Sequence, residues 1–129
     1  MIKENKIYNI VIYGNGLSAK TAVASFSQQG FNPIWINSIQ NEKYEDDRTT
    51  MLSTKSIDFY HKLNLNQFSK VIFPTNKILI KTKNQRSYTA FEDTQFQKPL
   101  CYLVENKTLH KGLDGLIETQ KKEKKILEF

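Results

Sequence analysis

The sequence predicts an α/β fold that opens on a βαβ unit and carries a small antiparallel hairpin as an insertion. Three observations predict it. The stretch Ile7–Asn37, IYNIVIYGNGLSAKTAVASFSQQGFNPIWIN, runs as apolar strand, glycine turn, small-residue helix and second apolar strand. Its turn places glycines at 14 and 16 and a small residue, Ala19, three positions on. That order is the first unit of a dinucleotide-binding fold, in which a strand ends where phosphates sit and the chain turns sharply. Further on, Ile78–Thr82 and Ser87–Phe91 alternate around the short polar segment Lys83–Arg86 and read as an antiparallel hairpin.

Each element has a local reason. Ile7–Tyr13, the first strand, is apolar through most of its length, as a parallel strand covered on both faces should be. Leu17–Gln29 is the first helix, rich in Ala and Ser where it must lie close to the sheet. Gly30 follows at the position beyond a helix end that favours left-handed backbone. Pro33–Ile36 is the second strand, and a polar loop runs from Asn37 to Asp47. Thr49–Leu63 is expected to be a single helix, with Leu52, Ser56, Phe59 or Tyr60, and Leu63 as its buried stripe. Val71–Phe73 is a short strand, the hairpin follows, and Tyr102–Val104 is another extended piece. Asn106–Gln120 is the last helix, with Leu109, Leu113, Leu116 and Ile117 on one face, and Ile126–Phe129 begins a further apolar strand. No linker, repeat or low-complexity run divides the 129 residues, which fit one small domain.

The chemistry of the turn follows from its small residues. Gly14 permits the tight turn, Gly16 lets the backbone approach a pyrophosphate with no Cβ in the way, and Ala19 sits where helix and strand pack closely. The free N–H groups opening the helix would face the phosphate, with the helix dipole adding attraction. The alternative is a βαβ turn unrelated to nucleotide binding.

Composition excludes several classes of function. The formal charge of +6 is carried mostly by scattered lysines, and the one cluster, 121–125 (KKEKK), holds a glutamate and no aromatic residue. It reads as a solvated helix end, so no nucleic-acid partner is expected, and peripheral attraction to an anionic membrane is no better supported. No apolar run reaches the ~18 residues of a membrane span. MIKENK leads straight into the first strand without a signal peptide's apolar region, which points to a cytoplasmic protein. Cys101, the single cysteine, lies in an apolar context (PLCYLV) and reads as a buried small hydrophobe. His61 and His110 have no carboxylate or cysteine at metal-ligand spacing and are expected on the surface. Ser53 and Ser56 lack the Gly-x-Ser-x-Gly setting of a nucleophile. No catalytic residue is assigned.

Three blocks, in order, resemble a known family. They are the GNGLSA turn with its flanking strands, the segment 47–65 (DRTTMLSTKSIDFYHKLNL), and the segment 102–113 (YLVENKTLHKGL). Together they resemble the N-terminal third of flavin-dependent aromatic hydroxylases, most closely the ubiquinone-biosynthesis monooxygenases. The resemblance implies that residues 1–129 form an incomplete FAD-binding domain, Rossmann-like and of the glutathione-reductase type. It implies that Gly14 and Gly16, with Ala19, meet the FAD pyrophosphate. Arg48 would lie against the cofactor, where a guanidinium suits a phosphate or the polar edge of a flavin; the alternative is a surface ion pair with Asp46 or Asp47. Asn106 would reach the cofactor's sugar-alcohol chain; the alternative is a helix N-cap. NAD(P)H would be the family's reductant, with no site for it in this chain.

The departures weaken the implied function. The glutamate that normally holds the adenosine ribose at the end of strand 2 is here Asn37, which loses the charge-assisted bond. FAD binding is therefore expected to be weak or lost, and a glutamate at 37 to strengthen it. The glycine that usually ends the second helix is Asn64, a tolerable exchange in left-handed backbone. Family members continue for more than twice this length, so a second acidic segment, most of the sheet and the substrate chamber are missing. The chain reads as a flavin-binding piece inactive alone, either a truncated gene product or one half of a split enzyme completed by a second chain, with a quinone precursor as its link to the membrane surface. The alternative is a non-catalytic remnant or interaction module that keeps the βαβ start without the cofactor.

Overall fold

The computed structural model describes residues 8–37, 47–65, 72–84, 86–123 and 125–129. The chain order is β1 (Ile10–Tyr13), α1 (Leu17–Gln28), β2 (Pro33–Ile36), β3 (Thr49–Leu52), α2 (Thr54–Lys62) and β4 (Ile72–Thr75). It continues through β5 (Lys77–Ile80), β6 (Thr89–Glu92), β7 (Cys101–Glu105), α3 (Asn106–Lys122) and β8 (Leu127–Glu128). Three sheets result. A parallel sheet has the order β1-β2-β8, an antiparallel sheet the order β3-β7-β4, and β5-β6 form the expected hairpin. The βαβ start and the hairpin therefore match the sequence reading.

Helix ends follow their chemistry. Gly30, just past α1, has φ +90°. Its N–H donates to the Ser27 carbonyl at 3.1 Å, and the Phe31 N–H donates to the Phe26 carbonyl at 3.0 Å. This pair of bonds is a Schellman closure, and the Phe26 and Phe31 rings meet edge-on at 5.7 Å across it. Asn64 closes α2 the same way, with φ +63° and the Leu65 N–H on the Tyr60 carbonyl at 3.2 Å. The left-handed position expected of Asn64 is the one it occupies.

One expected element is two. Thr49–Leu63 does not form a single helix: Thr49–Leu52 is strand β3, paired with β7, and the helix starts only at Thr54. Ser53 makes the break, because its Oγ accepts the Ser56 N–H at 3.1 Å and caps α2. Upstream of that cap the β-branched Thr49 and Thr50 suit a pleated strand, whose alternation buries Leu52 and leaves Met51 exposed. The buried side of α2 is Ile57 and Tyr60, with Leu63 at its end, while Phe59 is partly exposed. Ile7, most of the loop after Asn37, Val71, Gln85 and Lys124 lie outside the described residues.

The core sits between α1, α2, α3 and the inner faces of the two larger sheets. Val23, Ala24, Val104, Leu109, Leu113 and Ile117 are fully or nearly fully buried in it. Small residues on α1 let α3 approach, and the Gln120 amide donates to the Ala24 carbonyl at 3.0 Å across that contact. A Cβ on Gly112 would meet Leu65 Cδ2 at 3.3 Å, so glycine lets α3 settle against the end of α2. The ammonium of Lys20 is sealed in the same interface, 2% exposed and 2.6 Å from Asp114 Oδ1. Cys101 is buried, as its apolar context predicts. No helix among the described residues is long and apolar enough to cross a membrane.

Candidate dinucleotide site

The turn between β1 and α1 is held by the strand beside it. Gly14 leaves β1 with φ +119°, a conformation that strains any residue with a side chain. Its N–H donates to the Ile36 carbonyl at 3.0 Å, and its carbonyl accepts the Trp35 indole N–H at 2.8 Å. A Cβ built on Gly14 would lie 3.6 Å from Ala19 Cβ, so Ala19 packs directly over the turn. The fold itself accounts for a glycine at 14 and a small residue at 19.

Gly16 is different. It is the N-cap of α1 in extended backbone, φ −76° and ψ 173°, which any residue adopts, and a Cβ there would meet nothing within 4 Å among the described residues. No side chain caps the first turn of α1, and no acidic residue stands in it. Its opening N–H groups therefore face a space with no competing carboxylate, the setting in which a helix start accepts an anion.

Asn37 ends β2 on the same side of the sheet. Its N–H donates to the Phe129 carbonyl at 2.9 Å and its Nδ2 donates to Glu128 Oε1 at 3.1 Å. The other amide atom, Oδ1, is buried without a hydrogen-bond partner among the described residues. Asn37, Lys121, Glu128 and Phe129 line an open depression of about 400 Å³. Lys121 bridges Glu118 and Glu128, and these bonds hold its ammonium above the ordinary value. Burial alone would raise the Glu128 carboxyl, but the bonds from Lys121 and Asn37 outweigh it and hold the group below its ordinary range. Glu128 is the residue that the sequence reading missed. Its one signal was a charge inside the apolar run ILEF.

Arg48 and Asn106 form a second group, where β3 begins and α3 begins. Arg48 is exposed, and its carbonyl accepts the Asn106 N–H at 3.0 Å. The N-cap reading of Asn106 is corrected: Glu105 holds the cap position and Asn106 is the first helical residue. The buried Asn106 side chain instead accepts the Thr50 hydroxyl at 2.5 Å, tying α3 to β3. Asp46, one of the partners considered for Arg48, lies outside the described residues. His110 is also corrected. It is 6% exposed, on the core face of α3 rather than the surface, and His61 is half-buried. No group of three metal-ligating side chains occurs among the described residues.

No protein-family model matches the sequence, and no curated protein matches it. Solved structures do. PqsL, a probable FAD-dependent monooxygenase from Pseudomonas aeruginosa, superposes with a TM-score of 0.69 at 10% identity, over 95% of this chain and 32% of its own. The p-nitrophenol 4-monooxygenase PnpA from Pseudomonas putida DLL-E4 gives 0.69 at 10% identity, over 95% and 31%. A geranylgeranyl bacteriochlorophyll reductase-like protein from Thermoplasma acidophilum gives 0.68 at 13% identity, over 95% and 29%. This chain spans about a third of the length of the structures it matches. Its parallel sheet, antiparallel strands and glycine turn are the fold with which flavin-dependent monooxygenases begin.

Proposed function

We propose that this chain is the FAD-holding part of an aromatic-ring hydroxylase of the ubiquinone-biosynthesis type, and that it does not hydroxylate by itself. One observation carries the reading. Gly14 is required by the turn, whereas a Cβ on Gly16 would meet nothing within 4 Å among the described residues. A glycine with no packing reason, at the N-cap of an uncapped helix, fits a pyrophosphate drawn close to the backbone. FAD, once reduced, supplies the oxygen chemistry in such enzymes, and the protein's share is to bind and orient it and to exclude water. In this chain Gly16 and the first turn of α1 would hold the pyrophosphate, Asn37 would face the ribose, and Arg48 and Asn106 would meet the cofactor farther along. A reduced nicotinamide would serve as electron donor through a site outside these residues.

Exposed apolar strands support the reading that further polypeptide, such as a second chain, completes the enzyme. Val11 and Tyr13 on edge strand β1 are 62% and 72% exposed, and Met51 and Phe73 stand out from the antiparallel sheet at 61% and 60%. Parallel sheets are covered on both faces in stable folds, so Val11 and Tyr13 call for a cover, and large exposed apolar side chains such as Met51 and Phe73 mark a further surface to be covered. With so few contacts to the cofactor, affinity for FAD should be no better than about 0.1 mM, a net binding energy of about 5.5 kcal/mol. The purified chain is then colourless, binds FAD only in titration, and incorporates no oxygen into a phenolic quinone precursor. A yellow preparation that hydroxylates such a phenol without a second protein would overturn the inactive-alone reading. Absence of any FAD binding at millimolar concentration would overturn the whole assignment.

A further inference from the structure

A dinucleotide fold of this type needs an acidic group where strand β2 ends, because a carboxylate there receives the hydroxyls of the adenosine ribose. Residue 37 is an amide, so on sequence alone the group is missing. The neighbouring strand restores it. β8 runs parallel to β2 with Glu128 opposite Trp35, and the Glu128 carboxylate reaches Asn37 Nδ2 at 3.1 Å. We infer that Glu128 is the ribose-binding carboxylate of this chain, working with Asn37 as a two-residue acceptor for the 2′,3′-diol of an adenine nucleotide.

Four observations support the assignment. Glu128 and Asn37 line the same open depression, so a ligand there meets the Glu128 carboxylate directly and Asn37 Oδ1 once the amide turns toward it. Asn37 Oδ1 is buried with no partner among the described residues, and a buried acceptor of that kind is costly unless something donates to it. A ribose hydroxyl is such a donor. Each Glu128 oxygen holds one donor, Asn37 on Oε1 and Lys121 on Oε2, while a carboxylate oxygen can accept two. The Asn37 amide and Lys121 also fix the carboxylate's orientation before a ligand arrives, and the fourth lining residue, Phe129, adds the apolar surface that a purine base packs on. The sign of the charge sets a preference: a carboxylate favours a free 2′-hydroxyl and repels a 2′-phosphate, with Lys121 only partly offsetting it.

The inference rests on the nucleotide-binding reading, and its test separates the two. ADP, 2′-deoxy-ADP and adenosine 2′,5′-bisphosphate are titrated into the full chain and into Glu128→Gln, followed by nuclear magnetic resonance. In the native chain ADP should bind about fivefold better than 2′-deoxy-ADP, the worth of one charge-assisted bond over a lost one. In Glu128→Gln that ratio should fall toward one, and the 2′-phosphorylated ligand should gain on ADP. ADP binding with the ratio unchanged in Glu128→Gln, or with no preference for the 2′-hydroxyl in the native chain, would overturn the role of Glu128 and leave nucleotide binding standing. No ADP binding at all would overturn nucleotide binding, and this inference with it. Should Glu128→Gln fail to fold, the native chain still decides. The Asn37 side-chain amide signals must move with ADP and stay fixed with inorganic pyrophosphate, and signals that ignore ADP would refute the site.

Discussion

Substituting the two turn glycines separates what the fold needs from what a ligand needs. At Gly14, φ +119° has to be kept because both of its backbone polar groups are tied to β2. Forcing alanine into such backbone costs about 1–3 kcal/mol. At Gly16 the backbone is ordinary extended chain and a Cβ meets nothing within 4 Å, so Gly16→Val costs only a weaker cap, under about 1 kcal/mol. Unfolding entropy is about 2.1 cal/mol/K per residue, so over 129 residues each kcal/mol moves the melting temperature by about 4 °C. Gly14→Ala should then melt about 4–11 °C lower, and Gly16→Val less than about 4 °C lower. Ligand binding should invert the ranking. Valine at 16 puts two methyls where a pyrophosphate would approach under the proposed function, so ADP should bind at least about tenfold more weakly, a loss of about 1.4 kcal/mol. Thermal melts by circular dichroism and an ADP titration read the two effects independently. Equal ADP affinity in Gly16→Val and the native chain would refute the phosphate position. Equal melting losses at 14 and 16 would refute the turn geometry.

Three further outcomes follow from other contacts. Asp114→Ala leaves the buried Lys20 ammonium without the carboxylate 2.6 Å away and should cost about 2 kcal/mol in urea unfolding, discounted because Asp114 is 45% exposed; Lys20→Met, which keeps the volume, should cost less, and a loss below about 0.5 kcal/mol in Asp114→Ala would show that the pair contributes nothing. Asn37→Glu should destabilise the fold at neutral pH rather than improve nucleotide binding, since it exchanges the bond to Glu128 for two adjacent carboxylates; recovery in the double variant with Glu128→Gln checks this, and a more stable single variant contradicts it. Glu128 is held below its ordinary value of 4.5, so its contribution is complete above the unfolded value and lost as pH falls through the folded one, while that of Lys121, held above 10.5, is complete below that pH and lost as pH rises through its folded value. Lys121→Met should remove the alkaline arm from the pH–stability curve and shrink the acid arm, since the Asn37 bond to Glu128 remains, and an unaltered acid arm would show that the Lys121 bond does not stabilise Glu128.

What the sequence discloses and what it hides divide along the range of the interactions. Pro33–Ile36, the turn, the Gly30 closure and the hairpin are legible because their determinants are local: fixed φ, small side chains, period-two alternation. The strand hidden in Thr49–Leu52 is not, since its partner β7 is distant in the chain and its residues also satisfy a helical stripe. Ser53 was the local clue, a serine whose hydroxyl can cap the helix that follows. The site divides in the same way. Gly14, Gly16 and Ala19 announce themselves by spacing, but the carboxylate beside Asn37 comes from a strand 91 residues away in the chain. His110 misreads as a surface residue because burial of a polar side chain depends on partners that no spacing displays.

The pairing of β8 with β2 also bears on the order in which the molecule assembles. Every other strand and helix beyond β2 lies within the excursion that separates these two, so their contact, with that of α1 and α3, is among those of longest range in the fold. Contacts of such separation form late, after local helices and near-neighbour strands are in place. Until then β2 has a partner on one edge only, and the depression beside Asn37 does not exist. Trp35, the single tryptophan, sits at this seam, its carbonyl accepting the Phe129 N–H at 2.9 Å and its indole bonded to Gly14. Its fluorescence therefore reports the docking of β8 on β2 and the completion of the depression beside Asn37 as one event.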